Sequence, residues 1–299
     1  MYQPAFAEPP WPAPDLNVPN MVRQGWRARL HLHFDGANGR TVMVRRGHEG
    51  PLTVQKALYP EGPQVCHAVI LHPPGGVAAG DELAVDIGVG EGAHALLTTP
   101  GSTKWYKASP ERPSSQRIAI TLGNDARLDW LPQDNIYFDH SHAHQTFTLQ
   151  VAPGATAIGW DAALLGRRER GETWQHACLR TLTRIVHPDG RPLWEERQVM
   201  RSGDPVLTAL QGLGGRPAYG TMWACAPACT SELAQQLAPD LPHGPELSAG
   251  ATALSDGLLL IRAVAAHPES LRMLFADLWL RLRPIVHGVA ARPLRLWST

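Results

Sequence analysis

From Trp26 onward the side chains alternate with a period of two, and this alternation constrains the fold more than any other feature. In RARLHLHF, Ala28, Leu30, Leu32 and Phe34 share one face, while Arg27, Arg29, His31 and His33 share the other. DELAVDIGVG repeats the pattern through Leu83, Val85, Ile87 and Val89. An extended segment of this kind buries one face only, so it reads as a half-buried strand. Further candidate strands are TVMVRR, PLTVQKAL, CHAVILH, HALLTT, RIAITL, RLDWL, TFTLQV, ATAIGW, LRTLTRIV and LWEERQVM. Turn signals DGANGR, GEGA, GND, PGA and PDG fall between them, and no βαβ alternation appears. The expectation is a mainly β protein: an elongated stack of short strands, either an open sandwich or a β-helix-like solenoid, with no repeat visible in the sequence.

Helical signals fall in the last third. TSELAQQL offers Thr230 and Ser231 as N-caps. PESLRMLFADLWLRLRPIVHG starts with Pro268 at a first helical position and spaces Leu271, Leu274, Phe275, Leu278 and Leu282 along one face, with an end expected near Pro284.

With 299 residues, 43% of them hydrophobic, the chain can form a core without covalent staples. Residues 21–299 are expected to form one domain behind a proline-rich, disordered arm at 1–20. Its 27 basic residues balance 27 acidic ones, which argues against nucleic acid or an anionic membrane as a partner. Four irregularly spaced cysteines make no disulfide framework. With neither a signal sequence nor an apolar run of ~18 residues, the expected location is the cytoplasm.

Several motifs bear on chemistry. In YFDHSHAHQTF, His140, His142 and His144 would share one strand face, either as weak ligands for nickel, zinc or copper or as a solvated edge. Their rings would fan out along the strand, so a closed site needs another ligand. CAPAC places Cys225 and Cys229 at the spacing of a zinc half-site, but only His243 follows nearby; small buried thiols are the alternative. In HPPGG, Pro73 and Pro74 stiffen a loop in which Gly75 and Gly76 allow special backbone geometry, flanked by the possible ligands Cys66, His67, His72 and Asp81. TTPGSTKWY lacks the spacing of a phosphate loop. Neither a Gly-x-Ser-x-Gly elbow nor a His-Glu-x-x-His motif is present. Asp129, Asp134, Asp161, Glu195 and Glu196 lie near apolar strands, as an acid/base pair or as solvated carboxylates.

Taken in order, GPLTVQKALYPEG, CHAVILHPPGGVAAGDEL, LLTTPGSTKWY and LDWLPQDNIYFD, then GWD, GRRERGE and the closing RPLRLWST, resemble the urease accessory protein D (UreD, or UreH) family from about Trp26 to the end. The resemblance implies a mostly β, non-enzymatic chaperone of metallocentre assembly. It implies as partners the urease apoprotein and the accessory proteins UreF and UreG, with GTP hydrolysis licensing insertion of nickel. No cofactor would be held tightly, and nickel would pass transiently through a polar internal path. Carried over by position, Asp81, Asp161 (where the family usually has Glu) and Glu196 are the candidates for that path or for the urease contact. His67, His72 and Thr103 are weaker candidates, and Lys104 has a structural alternative. The family motif has no counterpart to the histidine row, which reads as a local addition.

Two readings from other classes compete. One is a metal-dependent hydrolase built on His67, His72, Asp81 and the histidine row, which requires these groups to converge. The other is a ligand-binding β module with one dominant apolar pocket.

Overall fold

The structure, a computed structural model, describes residues 25–254 and 257–298; the arm expected at 1–20 lies outside them. An opening hairpin, β1 (Arg27–Ala37) and β2 (Arg40–Glu49), is followed by the short β3 (Thr53–Val54). The chain then winds through three coils of similar plan: β4 (Val65–Leu71), β5 (Gly76–Val77) and β6 (Glu82–Val89); β7 (His94–Thr98), β8 (Thr103–Trp105) and β9 (Ser114–Leu122); β10 (Arg127–Leu131), β11 (Asn135–Tyr137) and β12 (His142–Val151). A fourth, partial coil is β13 (Thr156–Leu165) and β14 (Cys178–Val186). Strands in equivalent places pair in parallel, so Val65, His94, Arg127 and Thr156 stand side by side. The structure therefore repeats where the sequence does not.

Antiparallel strands close the stack. β15 (Pro192–Arg201) completes a seven-stranded sheet in the order β15-β14-β12-β9-β6-β1-β2. β16 (Ala218–Cys225), β17 (Leu247–Leu254) and β18 (Leu258–Ala265) extend the second sheet, whose order is β17-β18-β16-β13-β10-β7-β4-β3. Helices α1 (Ser231–Leu237) and α2 (Pro268–His287) cover the outer face of that second sheet.

This three-layer arrangement explains the two kinds of strand pattern. β1 and β6 have solvent on one side, and Ala28, Leu30, Leu32, Phe34, Leu83, Val85, Ile87 and Val89 are the buried set, as the alternation predicts. β7 and β10 lie between the other sheet and the helices, so both of their faces are buried and the period disappears. Strand β13 serves both layers. Ile158, Trp160, Ala162 and Leu164 join the helix-side core, whereas Ala157 and Ala163 join the core between the sheets. Trp160 lies against Phe275 of α2, with ring centroids 6.0 Å apart.

Thr230 caps α1 by accepting the Leu233 amide. Two local expectations need correction. PLTVQKAL yields only the two-residue β3 and an isolated bridge from Leu58 to His67. Helix α2 does not stop near Pro284 but continues to His287 and ends at Gly288, whose φ is 66°. Arg283, Val286 and His287 are buried on either side of Pro284, and this packing holds the last turn together despite the missing N–H.

Candidate functional site

A cavity of about 460 Å³ lies between the two sheets. Its seven-stranded wall carries polar side chains in register: Gln116 on β9, Gln145 on β12, Thr181 on β14 and Gln198 on β15 are successive cross-strand neighbours. The next inward row replaces them with Ile118, Phe147, Thr183 and Glu196. Polar groups drawn away from water need partners, and the three glutamines have them. Gln145 donates to Gln116 at 3.2 Å and accepts a short hydrogen bond from the Tyr137 hydroxyl, while Tyr219 donates to Gln198 at 3.2 Å.

Asp161 faces this row from β13. Protein surrounds its carboxylate at longer range, yet the side chain is exposed, because the surface it presents is part of the cavity wall. Burial pushes its pKa up to about 6; Asn135 Nδ2, donating at 2.9 Å, and the Ala162 amide oppose the rise, and the nearby charge of Asp134 adds to it. Asn135 is itself held by Trp105 Nε1, which donates to its Oδ1 at 3.0 Å. Asp134 is also raised to about 6, by burial first, with Arg272 opposing and Glu269 adding. Glu196 makes an ion pair with Arg262 of β18 and so links the two sheets at a partly exposed end.

The corner strands bring distant motifs to this place. β5, β8, β11 and the last residues of β13 form a parallel ladder in which Gly76 pairs with Lys104, Thr103 with Asn135, and Asn135 with Ala163. HPPGG, TTPGSTKWY, WLPQDNIYFD and the GWD strand are thus adjacent rungs. Gly76 must be glycine, since a Cβ there would lie 2.7 Å from the Lys104 carbonyl oxygen and 2.5 Å from the Tyr106 ring; Gly75 turns with φ 74°. His72, Gly75, Thr103 and Lys104 line the cavity with Asp161 and Glu196. Burial lowers the pKa of His72, with partial opposition from Asp81.

Other candidates lie elsewhere. Asp81 accepts the Trp26 and Ala78 amides, each at 2.8 Å, and so ties the loop to the start of β1. His67 is held by Glu61, 2.7 Å from its Nε2. His67, His72 and Asp81 therefore do not form the convergent ligand set that the hydrolase reading requires. The histidine row is also corrected: β12 begins at His142, and His140 precedes it in a left-handed turn with φ 60°. Only His142 and His144 share the strand. Cys225 and Cys229 are buried free thiols; burial raises both, Cys229 to about 11.

One cluster that sequence reasoning did not assemble lies outside the cavity, beneath α2. Asp129 Oδ2 is 2.8 Å from His94 Nε2 and 3.1 Å from Arg283 Nε, and Trp279 Nε1 donates to Oδ1 at 2.7 Å. His287 Nε2 lies 3.6 Å away, beyond hydrogen-bond range, while its Nδ1 and Thr156 Oγ1 are 2.7 Å apart. One ligand atom each of His94, Asp129 and His287 lies within 4.8 Å of the other two. The adjacent guanidinium argues against a metal, since a divalent cation about 4 Å away would be repelled by roughly 8 kcal/mol at an effective dielectric constant of about 20. Glu61, paired with Arg283, joins His67 to the same network. It clasps α2 to the sheet.

Gln116, Gln145 and Gln198 were missed as cavity residues. Their signal is a polar side chain in phase with apolar inward positions, as Gln145 is with Phe147 and Leu149.

Residues 26–298 match the family model described as UreD urease accessory protein. The chain is 49% identical over 289 residues to the urease accessory protein UreD of Cupriavidus necator, covering 96% of this chain and 99% of that protein. It is 48% identical over 294 residues to that of Ralstonia nicotianae, with the same coverage, and 41% identical over 279 residues to that of Bordetella pertussis, covering 92% and 98%.

Proposed function

Because the chain belongs to the UreD family of urease accessory proteins, and so has its role in urease maturation, we propose that it is the scaffold through which UreF and UreG deliver nickel to urease apoprotein, with the cavity between the sheets as the ion's route. The observation that carries this reading is Asp161, a carboxylate turned into an internal solvent-accessible space and held there by Asn135. Oxygen and nitrogen donors suit a borderline divalent ion. Asp161, Glu196 and His72 are spaced along the lining, not gathered into a cage, and a route needs ligands that release. With its pKa near 6, Asp161 is mostly ionised at pH 7. Protons compete with the ion as the pH falls through that value, so transfer should weaken in mild acid.

The test is co-expression of Asp161→Ala, Asp161→Asn and Glu196→Ala with UreF, UreG and urease, followed by co-purification and measurement of nickel in urease. Complexes should assemble as with the parent chain while the nickel content falls. Parental nickel content in all three variants would remove the cavity from the route, and failure of the parent to co-purify with UreF and UreG would remove the partner assignment.

A further inference from the structure

The histidine row takes on a different meaning once His140 leaves the strand. In its left-handed turn, a conformation His tolerates better than most residues, its ring stacks on that of His176 with centroids 4.7 Å apart and planes 10° apart. Asp139 completes the group: its Oδ2 is 3.1 Å from His176 Nδ1 and 3.6 Å from His140 Nε2. All three ligand atoms lie within 4.8 Å of one another. None of these residues lines the inter-sheet cavity.

We propose that Asp139, His140 and His176 form a second, surface site for a borderline divalent cation such as nickel or zinc. Metal–nitrogen and metal–oxygen bonds of about 2.0–2.2 Å place neighbouring ligand atoms roughly 3–3.6 Å apart, which is the spacing found here around Oδ2. The carboxylate is pre-positioned. Its Oδ1 accepts the amides of Gln175 at 2.8 Å and His176 at 2.7 Å, and the Asp139 amide donates to Glu172 Oε1 at 3.0 Å. Glu172 is fixed in turn by Arg167. Oδ2 is thus left facing the two imidazoles, and such outer support is what keeps ligands in place. Burial raises the Asp139 pKa, but the His176 amide and ring and the Gln175 amide outweigh it and hold the group at about 2, so it is ionised throughout the neutral range.

Binding requires no redox step. His176 gives up its Nδ1 proton and remains neutral by carrying one on Nε2, His140 binds through Nε2 with its proton on Nδ1, and water fills the remaining positions. The site is open to solvent, with both histidines exposed. His142 and Cys178 are cross-strand neighbours on β12 and β14, and with His176 and His144 they line an adjoining surface hollow. Arg180, which also lines it, disfavours a cation nearer His144.

The experiment is calorimetric titration of the full chain with Ni²⁺, and separately Zn²⁺, at pH 7.5. The parent is compared with His140→Asn/His176→Gln, in which Asn keeps the left-handed turn, and with His142→Ala/His144→Ala. One binding equivalent should be lost, or weakened at least about tenfold, in the first variant alone, with an unchanged melting temperature. Retention of that equivalent in the first variant, or its loss in the second, overturns the proposal. If the double variant unfolds, electron paramagnetic resonance of the parent with one Cu²⁺ decides: coupling to two imidazole nitrogens that falls to one in His176→Gln supports the site, and unchanged coupling overturns it.

Discussion

Replacing Asp129 with Asn tests the clasp beneath α2. The carboxylate is inaccessible to solvent and answers four donors or cations: His94, Arg283, Trp279 and, at longer range, His287. Removing one partner of a buried charge pair costs about 3–5 kcal/mol. The lower end applies here, because Arg283 retains both oxygens of Glu61 and the Asn oxygen can still accept from one donor. With an unfolding entropy of about 2.1 cal/mol/K per residue, a loss of about 3 kcal/mol in a chain of this size lowers the melting temperature by roughly 5 °C. Asp86→Asn is the control: its pair with Arg117 is half-exposed, and such pairs are worth about 0–1 kcal/mol. Thermal melts at pH 7.5 followed by tryptophan fluorescence read both variants, with Trp279 in direct contact with the altered group.

The pH dependence has a definite sign. Despite the opposing effect of burial, the charge of His287 and the hydrogen bond and charge of His94 hold the folded pKa of Asp129 well below its ordinary 3.8. Its stabilisation is therefore present above pH 3.8 and is lost as the pH falls below that value. His94 is lowered by burial, so from about pH 6.5 downward the unfolded chain takes up a proton that the folded one resists, and stability declines in the same direction. An Asp129→Asn melt within 1–2 °C of the parent at pH 7.5 would refute the reasoning.

Two further outcomes follow from packing. Gly159→Ala would place a Cβ 2.4 Å from Trp223 Cζ2 and 2.9 Å from Trp130 Cβ, so urea unfolding should show a loss of about 1–3 kcal/mol; parental stability would mean that this wall of the cavity yields. Of the four cysteines only Cys178 is not buried, so Ellman's reagent should titrate one thiol in the native protein and four in denaturant; a second fast thiol would show that the pocket around Cys225 and Cys229 opens.

The strands were legible because burial on one face writes its period directly into residues such as Leu83, Val85, Ile87 and Val89. The helices were legible from Pro268 and Thr230 for the same local reason. What remained hidden depends on partners distant in sequence. His94 meets Asp129, and Asp129 meets Arg283, only because the coils stack and α2 lies across them. Asp161 and Glu196, singled out by motif order, both line the cavity, whereas Asp81 is taken up by two nearby amides. The row of His140, His142 and His144 failed as one face because its first member takes a positive φ, next to an Asp139 whose Oδ1 accepts the amides of Gln175 and His176, partners beyond the reach of a local pattern.

Strand β13 is a shared wall, with Trp160 against the helix and Asp161 toward the solvent-accessible interior. Inserting or deleting one residue there would exchange the two, turning a carboxylate into Phe275 and an indole into the cavity. The strand's length can therefore change only in pairs, if at all, whereas exposed turns are free of this parity. A tag or fluorescent reporter for following assembly belongs at Asp189–Gly190, between β14 and β15, where both residues are exposed and added chain leaves every inward and outward assignment unchanged.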